Sequence, residues 1–293
     1  MNNLYQLIFA PFIEFEFMRY ALASVIFLSL SAAPIGVFLV MRRMSLMGDA
    51  MSHAILPGAA IGYMLAGLTL PAISLGGFIT GVFMALGAGL ASRFSSLKED
   101  ANFAAFYLGC LALGVILVST NGSSVDLLNL LFGSILSVDN ASLTMIASAS
   151  SITLLLLAMI YRPLMLESID PIFLHSVKGK GGLWHIIFLI LVVINLVTGF
   201  QALGTIMSVG LMMLPAICAR IWCSKMESIL LTSIGIAILC SVAGLLISFH
   251  INIPSGPAII LTCSILYLIS IIFSPNGLLK LIIQQRHHKK ITH

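Results

Sequence analysis

From Ser228 to Leu279 the chain contains no Asp, Glu, Lys or Arg. A soluble domain, in which about a quarter of the residues are charged, does not keep so long a segment neutral. A bilayer core demands it, because about 20 apolar residues are needed to cross about 30 Å of hydrocarbon as a helix. Further charge-free windows cover 20–41, 50–92, 101–125, 127–138, 140–161 and 181–219. At that length per crossing, the seven windows in chain order hold one, two, one, none, one, two and two spans. The pattern predicts an all-α polytopic membrane protein with about nine transmembrane helices, eight being the alternative count. Glycine, proline and polar residues near 68–71, 200–204 and 250–257 divide the long windows.

Only 8% of the residues are charged and mean hydropathy is +1.13, which excludes a soluble enzyme, a nucleic-acid-binding domain and a disordered chain. The five cysteines all lie in apolar stretches without a C-x-x-C pair, so they read as small buried hydrophobes. The N-terminus lacks a basic region followed by a small-residue cleavage site, so the first span is expected to direct insertion itself.

The basic residues set an orientation. With nine spans, the N-terminus outside and the C-terminus in the cytoplasm, the inner side holds Arg42, Arg43, Arg93, Lys98, Arg162, Lys178, Lys180, Arg220 and Lys225, and then the tail cations Lys280, Arg286, Lys289 and Lys290. Only Arg19 of the 14 falls outside. Two segments do not fit simple spans. Residues 127–138 are apolar but too short, and suit an outer re-entrant or interfacial helix. Residues 162–183 form the longest inner loop, where Asp170 as cap and Pro171 at the first helical position predict a short helix carrying Ile172, Phe173 and Leu174. Such a helix would dock on a cytoplasmic partner; a solvated linker is the alternative.

Asp49 is the one charge that cannot be given to a loop or a membrane edge. It lies about 9 Å along a helix from Arg43, and His53 about 15 Å, near the middle of the core. Their i, i+4 spacing puts both on one helix face. Ionisable groups at that depth mark a pathway or a binding site by default. Carboxylate with imidazole suits Mn(II), Zn(II) or Fe(II), although two ligands do not close a site. Pro57 and Gly58, one turn on, would loosen the helix and free carbonyls for the cavity. On the residues alone three readings stay open: a metal pathway, a proton relay, or a pair that satisfies itself inside a helix bundle.

Other residues signal less. Met41, Met44, Met47 and Met51 form a stripe that copper(I) could use, but packing or lipid contact is the plainer reading. His250 and His185, the latter beside Trp184, read as membrane-interface residues. Gly48-Asp-Ala-Met-Ser before Pro57 echoes Gly204-Thr-Ile-Met-Ser before Pro215, a hint of an inverted repeat. No G-x-x-x-x-G-K-[ST], H-E-x-x-H or G-x-S-x-G occurs, and a single membrane aspartate does not make an aspartyl protease. Transport must then draw on an ion gradient or on a separate ATPase subunit.

The segment Arg42-Arg-Met-Ser-Leu-Met-Gly-Asp-Ala-Met-Ser-His-Ala-Ile-Leu-Pro-Gly58 resembles the signature helix of the manganese/zinc/iron ABC permease family. Val125-Asp-Leu-Leu-Asn-Leu-Leu-Phe-Gly-Ser-Ile-Leu, Gly204-Thr-Ile-Met, Leu214-Pro-Ala-Ile-Cys-Ala-Arg220 and Pro254-Ser-Gly-Pro-Ala are similar to further blocks in family order. The resemblance implies a single transmembrane permease domain over 1–293, of the type II ABC importer kind, in a bacterial cytoplasmic (inner) membrane. It implies no nucleotide site of its own and no permanent cofactor. Its partners would be a nucleotide-binding ABC subunit, an extracytoplasmic metal-binding protein and a second copy of itself. Asp49 and His53 match the family's metal-pathway pair, and Asp170–Leu174 the position of the coupling helix. The alternative is a gradient-driven metal transporter with Asp49–His53 as proton relay.

Overall fold

The computed structural model describes residues 9–67, 69–94, 99–120, 138–169 and 181–273. All regular structure among them is helical: α1 (Ala10–Glu14), α2 (Glu16–Met41), α3 (Ser45–Ala54), α4 (Leu56–Ala66), α5 (Leu70–Phe94), α6 (Glu99–Thr120), α7 (Asn140–Ile169), α8 (Gly181–Leu203), α9 (Thr205–Trp222), α10 (Met226–Ile251) and α11 (Ser255–Phe273). α2 is the hub, packing on α1, α3, α7, α8, α9 and α10. Around it α3, α5, α7, α8 and α9 enclose a core with Phe38, Met47, Met84, Phe188 and Met212. A second core joins α2 to α9, α10 and α11 through Met18, Leu28, Leu211, Leu245 and Ile259. Leu65, Phe83, Met159, Leu231 and Leu239 point outward. That apolar perimeter matches lipid tails, and helices satisfy their own backbone there. The chain is a multi-pass membrane protein.

The expected nine spans are not reproduced as nine long helices. Among the described residues seven helices (α2, α5, α6, α7, α8, α10 and α11) are long and apolar enough to cross a membrane. The other two segments of that count are the broken pair α3–α4 and the shorter α9, apolar over Met207–Trp222. Both depart from a straight span for local reasons. Pro57 stands in the first turn of α4 and has no N–H to give the His53 carbonyl, which receives the N–H of Ile55. Gly204, at φ +85°, separates α8 from α9 in a conformation that residues with a Cβ avoid.

The inner loop expected over 162–183 is shorter. α7 continues through Pro163 to Ile169 and α8 starts at Gly181, so residues 162–169 are helical. Arg162 and Glu167 looked like loop charges, but they ride the end of a long helix. The expected docking helix at Asp170, Pro171, Ile172, Phe173 and Leu174 lies outside the described residues, as do the outer segment 127–137 and the basic tail.

Candidate functional site

The site begins at the end of α2. Arg43 takes a left-handed conformation (φ +59°). Its N–H donates to Val40 O at 3.2 Å, and the Met44 N–H donates to Leu39 O at 2.9 Å, the two-bond closure of a Schellman cap. The chain thereby turns into α3, which carries Asp49 and His53 one turn apart. Beyond the break at Ile55, Gly58 lets α4 press against α5: a Cβ there would stand 2.1 Å from the Gly76 carbonyl oxygen. The proline and glycine expected to loosen the helix therefore divide the work. Pro57 makes the break, and Gly58 fixes the helix that follows.

His53 Nε2 and Asp49 Oδ1 lie 3.7 Å apart. That is too long for a hydrogen bond. It is within reach of one shared ion, because metal bonds of about 2.1 Å to each atom would meet at an angle of about 120°. Asp49 is 60% exposed and His53 25%. The two atoms stand at ion-pair distance, with the carboxylate open to the surroundings. His53 Nδ1 is buried and has no hydrogen-bond partner among the described residues. A buried imidazole nitrogen without a partner is costly and calls for an explanation beyond apolar packing. The Tyr107 ring flanks it at 5.7 Å between centroids.

Asp49 opens into a cleft of about 170 Å³ lined by Leu46, Met47, Ala50, Asp100, Phe103, Ala104 and Tyr107. Asp100, at the start of α6, is a second carboxylate on that cleft that sequence reasoning missed. It had been taken as the boundary of a charge-free window, and only the packing of α3 on α6 brings it near Asp49. No group of three or more His, Cys, Asp or Glu side chains that could hold a metal ion occurs among the described residues. Met44, Met47 and Met51 are buried in the core, so the methionine stripe is packing. α3 and α9, the two helices of the sequence echo, lie against one another.

The description "ABC 3 transport family" matches residues 14–274. The chain is 34% identical over 263 residues to the manganese import system permease protein ScaB of Streptococcus parasanguinis, covering 90% of this chain and 92% of that one. It is 30% identical over 274 residues to the chelated iron transport system membrane protein YfeD of Yersinia pestis, covering 94% and 91%. Among solved structures, PsaBC from Streptococcus pneumoniae in complex with Fab superposes with a TM-score of 0.82 at 31% identity, over 94% of this chain and 98% of that chain.

Proposed function

Since this chain belongs to the ABC 3 transport family, we propose that it is the membrane-spanning permease subunit of an ATP-binding-cassette importer for divalent transition-metal ions: manganese, zinc or iron(II). The observation that carries this reading is the Asp49–His53 pair on a broken helix, spaced for a shared ion and with one imidazole nitrogen unpartnered. Relatives whose names specify manganese import or chelated-iron transport support the same cargo class. In this reading the cargo is substrate, and a separate subunit hydrolyses ATP.

The broken pair α3–α4 and α9 complete nine crossings, with the N-terminus outside, the C-terminus in the cytoplasm and residues 1–293 as one transmembrane domain of a bacterial inner membrane. An extracytoplasmic metal-binding protein delivers the ion at the outer face. Asp49 and His53 then replace part of its water shell. Because Asp49 faces outward from this chain, a two-fold interface with a second copy would double the available ligands. The segment Asp170–Leu174 docks on the ATPase subunit, whose cycle opens the site alternately to each side.

Uptake of Mn(II) by vesicles tests the reading. It should require the cognate ATPase subunit and ATP, and persist when an uncoupler collapses the proton gradient. Uptake by the permease alone, abolished by the uncoupler, would instead identify a gradient-driven transporter with Asp49–His53 as proton relay.

A further inference from the structure

Arg42 is the residue on which three helix ends converge. It caps the C-terminus of α2, and its Nη2 donates to Glu167 Oε2 at 2.8 Å near the end of α7. Its Nη1 lies 2.8 Å from His185 Nδ1 in the early turns of α8 and donates to it. The guanidinium also stacks over Phe188 at 5.0 Å from the ring centroid. Arg42 is only 8% exposed and Glu167 19%. An arginine so placed suits bidentate, planar recognition that a lysine does not reproduce. The neighbouring carbonyl of Val40 takes a further hydrogen bond from Arg220 of α9, at 3.1 Å.

What these bonds join matters for the reading above, on which this inference rests. Residues 170–180 connect α7 to α8, and Arg42 grips both sides of that connection. The same residue immediately precedes the left-handed turn at Arg43 that starts α3. α3 is a ten-residue rod with a break at each end, the αL turn before it and the Ile55–Pro57 interruption after it. A rod between two breaks can tilt as a unit, and it carries both Asp49 and His53. We infer that Arg42, with Glu167 and His185, is a positioning latch that transmits relative displacement of the facing ends of α7 and α8 to the tilt of α3. It acts on the ion only through Asp49 and His53.

The test uses the assembled permease, its ATPase subunit and its metal-binding protein in proteoliposomes, with Mn(II) as the ion. Import and ATP hydrolysis are measured together for wild type, Glu167→Gln, Arg42→Lys and the exchanged pair Arg42→Glu with Glu167→Arg. The latch predicts that Glu167→Gln and Arg42→Lys assemble and hydrolyse ATP while Mn(II) imported per ATP falls about tenfold, within the usual range of coupling between sites. The exchanged pair should recover part of that ratio. Import and hydrolysis falling in parallel, with their ratio unchanged, would make the cluster a structural staple and overturn the proposal. So would failure of both conservative variants to assemble. Wild-type vesicles without Mn(II) import would overturn the functional reading itself, a result distinct from an unchanged ratio.

Discussion

At Asp49 and His53 the structure adds geometry to readings that the residues alone left open. The proposed metal pathway rests on the 3.7 Å spacing, the exposed carboxylate and the Nδ1 without a partner among the described residues. Removing the imidazole while keeping Asp49 should therefore weaken the site without dismantling the helix. His53→Ala is expected to raise the Mn(II) concentration for half-maximal uptake about tenfold, the equivalent of about 1.4 kcal/mol. A concentration series in cells reads this directly. Gly58 belongs to the same scale but to packing. A methyl group there meets the Gly76 carbonyl and the Thr80 side chain, neither of which can retreat without moving a helix. Gly58→Ala should cost about 1–3 kcal/mol, measured as a lowered unfolding temperature in detergent.

At the scale of elements, the breaks near 68–71, 200–204 and 250–257 were legible because glycine, proline and asparagine act locally. Gly67, Gly204 and Asn252 all adopt positive φ where helices end or start. Pro163 gave the opposite result. It was expected within a loop, yet α7 runs through it to Ile169. Glu167, which fell inside the expected loop, is held by Arg42 from a helix end more than a hundred residues away, and no local pattern contains that pairing. Asp100 was missed for the same reason, since the cleft it shares with Asp49 exists only once α3 packs on α6. The start of α7 offers a pH test. The Ser142 side chain and N–H, the latter at 2.9 Å, hydrogen-bond Asp139 and hold its carboxyl below the ordinary carboxylate range. A depressed folded-state value means the cap stabilises the helix above the unfolded pKa and is lost as pH falls through the folded one. Asp139→Asn keeps an acceptor for Ser142 and should flatten that acid dependence, as read by thermal unfolding at stepped pH.

At the scale of the whole molecule, an apolar perimeter encloses a hub helix, and the two interrupted segments of the count, α3–α4 and α9, touch at its side. The class of fold followed from charge-free windows, which do not distinguish a straight span from an interrupted one, because both carry the same composition. The assembly is tested through the segment between α7 and α8. Replacing Ile172 and Phe173 together with Asp should abolish co-purification of the ATPase subunit while the permease still reaches the membrane; an intact complex would move the docking surface elsewhere. The central claim, that Asp49 lies on the path of a transported metal, is tested most directly by elemental mass spectrometry of metal-limited cells. A deletion strain would be complemented with wild type or with Asp49→Ala at matched membrane levels. The account predicts a deficit of one transition metal in the mutant, which would also name the cargo. Equal contents of manganese, zinc and iron in the two strains would contradict it.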